Sequence, residues 1–128
     1  MLPAMNLNYL IFDYSEDTDG TGSFDTMAST DAEHAQAVRD EVAAVLAWAH
    51  QAFGAVEQEQ DGDAAWRYEL QAQREWSVVE HLHFDVQALR LQADGAEARP
   101  GTVRHTITLT LCGRPDFCAA LRQRFSLD

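Results

Sequence analysis

The segment His81-Leu82-His83-Phe84-Asp85 carries the sharpest chemical spacing in the chain. Alternate side chains on a strand point the same way, so two imidazoles and a carboxylate two residues apart could converge on one divalent metal such as zinc. His81, His83 and Asp85 are therefore the candidate metal ligands. The same spacing also fits a solvated strand face on which Asp85 or Glu69 pairs with a neighbouring Arg, because an antiparallel sheet can leave one face wet.

A second constellation is acidic: Glu16, Asp17, Asp19 and Asp25 around Gly20 and Gly22. A calcium loop in this register would start at Ser15 and end at Thr26, where it needs Asp and a bidentate Glu, so the match fails. Gly20-Thr21-Gly22-Ser23 is no phosphate cradle either, since neighbouring carboxylates repel an anion and no Lys follows. What remains is a solvated hairpin loop or a docking site for a basic protein. A further acidic run, Glu57, Glu59, Asp61 and Asp63, would add to that field if the fold brought the two together.

Covalent catalysis finds little support. Ser15, Ser23, Ser29, Ser77 and Ser126 lie in no G-x-S-x-G elbow. Cys112 and His105 are an odd number of residues apart on one strand, which sends them to opposite faces. His105, in phase with Val103 and Ile107, reads as a satisfied buried histidine and Cys118 as core, while His34 and His50 look exposed. No cofactor fingerprint occurs, and the reading includes no cofactor.

The elements that must position these residues follow from periodicity. Leu7 to Tyr14 is a nearly continuous apolar run, expected as a first strand, and Ser23 to Ser29 returns as its antiparallel partner after Asp19-Gly20. Thr30-Asp31-Ala32-Glu33 has the pattern of a capping box. The helix it opens carries Ala35, Val38, Val42, Val45, Leu46, Ala49 and Phe53 on one stripe, with Glu41 outside it and Gly54 placed as a left-handed cap. Period two then predicts three strands, around Trp66 to Ala72, Leu82 to Val86 and Val103 to Leu111; the middle one shifts parity to Leu89 and Leu91, as a bulge near Gln87 to Leu89 would. Asp94-Gly95 and Pro100-Gly101 mark the next connection, and no turn can be placed in 74–80. Pro115, Asp116, Arg122 and Arg124 suit the dipole of a last helix whose apolar stripe is Phe117, Leu121 and Phe125.

The predicted order β-β-α-β-β-β-α gives an α+β fold: a two-layer domain with an antiparallel sheet of about five strands and both helices on one face. At 128 residues the chain makes one domain, with residues 1–5 expected as a disordered lead-in. Two cysteines, wrongly spaced for a zinc or redox motif, and the lack of a long apolar run or a basic leader point to the cytoplasm.

Charge narrows the function classes. The formal net charge is -12, and all nine basic residues are Arg. Nucleic acid and anionic membranes are disfavoured as partners, because each phosphate contact needs a cation and the summed field is repulsive. Without Lys, Schiff-base chemistry and lysine-dependent phosphate loops are excluded. No residue pattern names an activity. The favoured reading is a non-catalytic interaction module, of the kind small acidic inhibitors and antitoxins represent, docking a basic protein. The alternative is a metal or small-ligand site on the open sheet face. A homodimer through an uncovered strand edge or that face is compatible with both.

Overall fold

The computed structural model describes residues 6–55, 65–93 and 102–127. Its elements are β1 (Asp13–Glu16), β2 (Gly22–Asp31), α1 (Ala32–Phe53), β3 (Trp66–Ser77), β4 (Leu82–Asp85), β5 (Arg90–Ala93), β6 (Thr102–Gly113) and α2 (Pro115–Phe125). The α+β class stands. Four strands form one antiparallel sheet in the order β1-β2-β6-β3, and β4 pairs only with β5 in a separate two-stranded hairpin.

Both helices lie on one side of the sheet, over β2 and β6. Register explains which residues meet them. Phe24 stands opposite Leu111, Thr26 opposite Leu109 and Ala28 opposite Ile107, so these six share one face, and all are buried. From α1 they meet Val38, Val42, Val45 and Ala49, and from α2 Phe117, Leu121 and Phe125. Each fully buried large apolar side chain contributes roughly 1.5–3 kcal/mol. The reverse face shows Asp25, Met27, Ser29 and Thr108 to solvent.

Helix α1 starts one residue later than the capping box predicts. Thr30 is still in the ladder opposite His105, so the cap passes to Asp31, whose carboxylate accepts the His34 amide at 3.0 Å. Gly54 closes α1 at φ 88°, as a residue without Cβ can, but with ψ 178°, so the chain leaves extended rather than in the left-handed turn expected. The Trp66 indole N–H donates to the Gly54 carbonyl at 3.0 Å and ties this end to β3. Helix α2 follows its prediction, with Pro115 in the first turn and Arg122 and Arg124 in the last. Gly113 just before it is required by close approach: a Cβ there would collide with the Phe117 ring and stand 2.9 Å from the Ala65 carbonyl.

Two expectations are corrected. The apolar run from Leu7 supplies a strand only from Asp13; before that it packs across the core with Leu10 buried. Glu41 is the reason. Its carboxylate is buried and accepts the amides of Asn8 (2.6 Å), Tyr9 (3.0 Å) and Leu10 (3.1 Å), so a side chain replaces the strand neighbour those donors would otherwise need.

The second correction concerns Leu82 to Leu91. The parity change is a chain reversal at Val86 to Leu89 and not a bulge, and Leu82 and Phe84 lie outside the core, each more than half exposed. Both ladder edges of β6 are already taken by β2 and β3, so no sheet position is left for β4 beside it. Residues 1–5, the acidic run at Glu57, Glu59, Asp61 and Asp63, and the turns at Asp94-Gly95 and Pro100-Gly101 lie outside the described residues.

Candidate functional site

The acidic constellation is carried by the β1–β2 hairpin. Register sets Tyr14 opposite Phe24 on the helix side, and Asp13 opposite Asp25 on the open side. The aromatic pair anchors the hairpin: the two rings lie 4.7 Å apart, with the Arg122 guanidinium 3.9 Å from the centre of the Tyr14 ring. The loop between Glu16 and Gly22 is a built turn. The Asp17 amide donates to the Thr21 carbonyl at 2.8 Å, and the Gly20 amide to the Asp17 carbonyl at 3.0 Å, with Gly20 at φ 89°.

Three carboxylates are also held by hydrogen bonds. Asp19 accepts the Thr21 amide at 3.0 Å, Asp25 accepts the Thr110 hydroxyl at 2.6 Å, and Glu16 accepts the Tyr14 hydroxyl at 2.7 Å. The amide of Thr21 lowers the pKa of Asp19 below its ordinary value, and donation to Glu16 raises that of Tyr14. Glu16, Asp17, Asp19 and Asp25 are all exposed. From Asp13 to Asp31 the chain bears six carboxylates and no basic side chain, half of its net charge of -12 in 19 residues.

The proposed metal ligands have a different setting. Asp85 caps the β4–β5 turn, its carboxylate accepting the amides of Gln87 (2.9 Å) and Ala88 (3.1 Å), while His83 faces Gln92 in the ladder and His81 precedes the strand. Among the described residues the group that brings three ligand atoms within 4.8 Å of one another is Asp31, Glu33 and His34, at the exposed start of α1. His81, His83 and Asp85 are not so gathered. Within the first group the His34 Nδ1 lies 2.8 Å from the Asp31 carboxylate, which raises the His34 pKa and lowers that of Asp31.

His105 and Cys112 point to opposite faces, as their spacing requires. Cys118 is buried and its thiol pKa is raised by burial, while His34 and His50 are exposed. His105 helps line a cavity of about 120 Å³ between α1 and β3, with Arg39, Arg74, Ala72 and Ile107. Among the described residues its buried Nδ1 has no hydrogen-bond partner, in contrast to the satisfied histidine that its spacing predicts.

No family model, curated protein or solved structure matches this chain. The functional reading therefore rests on its own surfaces.

One such surface was not legible from the sequence. Of the twelve large apolar side chains exposed among the described residues, ten fall between Tyr68 and Leu91. Tyr68, Leu70 and Trp76 stand on the helix side of β3, beyond the reach of the helix layer, and the hairpin presents Leu82, Phe84 and Leu91 on one side with Val86 and Leu89 at its tip. Leu89 takes φ 57°, a left-handed conformation unusual for a branched apolar residue. The signal available in the sequence was the run of period-two segments outnumbering the helices able to cover them.

Proposed function

We propose that the chain is a non-catalytic protein-binding module, of the inhibitor or antitoxin type, whose β1–β2 end docks a basic protein surface. The observation that carries this reading is the set of exposed carboxylates Glu16, Asp17, Asp19 and Asp25, three of them held in place by hydrogen bonds on a hairpin with no basic residue. Fixed like charges of this kind steer a complementary partner and speed its encounter. They also repel nucleic acid and anionic lipid. The cytoplasm is the compartment this role implies.

The test is a pull-down at low and at high salt with the wild type and a variant carrying Asp17→Asn and Asp19→Asn. The amide oxygen introduced by Asp19→Asn can still accept the Thr21 N–H, so the turn survives while the charge is lost. A basic partner retained at low salt, released at high salt and lost with the double variant supports the reading; retention indifferent to both salt and variant defeats it.

A second reading, binding of a small anion, is favoured by the cavity that Arg39, Arg74 and His105 help to line. Inorganic phosphate should then raise the Tm of the wild type and leave that of Arg74→Gln unchanged; equal response of the two would discard it.

A further inference from the structure

Strand β3 is the edge of the sheet among the described residues, twelve residues long and free of Pro, and its helix-side face is left half exposed. A long, unprotected edge is a template for another strand. Among the described residues the hairpin that follows packs substantially only on itself and no layer covers its apolar side, and an isolated two-stranded hairpin is marginal in water. At roughly 100 Å² for each of the six side chains Tyr68, Leu70, Trp76, Leu82, Phe84 and Leu91, the apolar faces of β3 and the hairpin offer on the order of 600 Å². That reaches the upper end of roughly 300–600 Å² for the largest patch of a typical monomer, and the β3 backbone edge would add to it toward the roughly 800 Å² per partner of a standard interface.

Charge identifies the occupant. Residues 66–93 hold Arg67, Arg74 and Arg90 against Glu69, Glu75, Glu80 and Asp85, so this part of an otherwise strongly acidic chain is close to neutral. A basic partner gains nothing here, whereas a second acidic copy can approach without meeting the field of the β1–β2 end.

The strand is also self-complementary. With both helix layers on the same side of a joined sheet, residues of like parity face each other across two antiparallel β3 strands. A register centred on Gln71 sets Arg67 opposite the partner's Glu75 and Tyr68 opposite the partner's Arg74. Centring on Ala72 would set Glu69 against the partner's Glu75, and centring on Leu70 or Gln73 faces no charges at all. Unlike charges directly across a ladder are favourable and like charges are not.

We propose that β3 is a dimerisation strand: two copies pair their β3 edges antiparallel about Gln71, joining the sheets, and each β4–β5 hairpin covers apolar surface on the other copy. The hairpin leaves β3 at Ser77, which this register places near the partner's Trp66. The four residues 78–81 can span up to about 13 Å, enough to bring Leu82, Phe84 and Leu91 to the partner's Tyr68 and Leu70.

Sedimentation equilibrium of the full chain tests this, with far-UV circular dichroism as the check on folding. The wild type should be a dimer. Glu75→Arg should raise the dimer Kd about tenfold or more, since a two-fold contact counts the change twice, and adding Arg67→Glu should restore it. Phe84→Glu should weaken the dimer by a similar factor. All these positions are exposed, so the monomer fold should persist. A wild type that stays monomeric at roughly 100 µM, or a dimer indifferent to Glu75→Arg, overturns the proposal. The inference is independent of the acidic docking surface, because these variants leave Asp17 and Asp19 untouched and should not alter salt-sensitive partner binding.

Discussion

The β1–β2 hairpin and the β4–β5 hairpin are both exposed antiparallel ribbons, yet they are supported in opposite ways. The first is anchored by Phe24, fully buried between β6 and the helices, and shows carboxylates to water. The second buries no large side chain and shows Leu82, Phe84, Val86, Leu89 and Leu91. One surface is polar on a packed base, and the other is apolar and, among the described residues, without one. The acidic end thus has its support within the described chain, whereas the apolar side chains of the β3 edge and its hairpin are left exposed there.

Phe24→Ala removes the ring under the acidic hairpin and should cost about 3–5 kcal/mol in urea unfolding. Phe84→Ala, measured at concentrations where the chain is monomeric, should change stability by only about 0.5 kcal/mol. Equal costs would mean that the second hairpin has a core of its own.

Glu41→Ala comes next. It leaves the amides of Asn8, Tyr9 and Leu10 without their acceptor in the segment leading into β1, and should cost about 3 kcal/mol by the same measurement. A loss within about 0.5 kcal/mol would show that water serves those donors equally well.

Amide hydrogen exchange should separate the regions without mutation. In the monomer, β4 and β5 should exchange faster than β2 and β6, whose ladders lie beneath the helices; dimerisation should slow exchange in β3 and the hairpin and leave β1 and β2 unchanged.

The smallest effect concerns pH at the start of α1. The hydrogen bond to Asp31 raises the His34 pKa above its ordinary 6.5, so that contribution is fully present below this value and is lost as pH rises through the raised one. The bond to His34 lowers the Asp31 pKa below its ordinary 3.8, so its contribution is present above that value and is lost as pH falls through the lowered one. The pair therefore supports the helix most between about pH 4 and 6.5. Nuclear magnetic resonance titration of His34 should show the raised value return toward the ordinary one in Asp31→Asn, and an unchanged titration would remove the pairing.

Local spacing by itself determined both helices, the antiparallel strands at Trp66 and Val103, and the α+β class, because hydrophobic period and terminal residue chemistry act within a few residues. It also located the acidic loop, since charge sequence and an Asp-Gly turn are local as well. Only the tertiary structure decided that Glu41 is a buried acceptor, that Leu7 to Phe12 lies across the core, and that β4 and β5 leave the sheet. Periodicity tells which side of a strand is apolar but not which layer lies against it. That depends on β6 having both neighbours already and on two helices wide enough for β2 and β6 alone, which is why the surface around Phe84 is exposed when its alternation had indicated core.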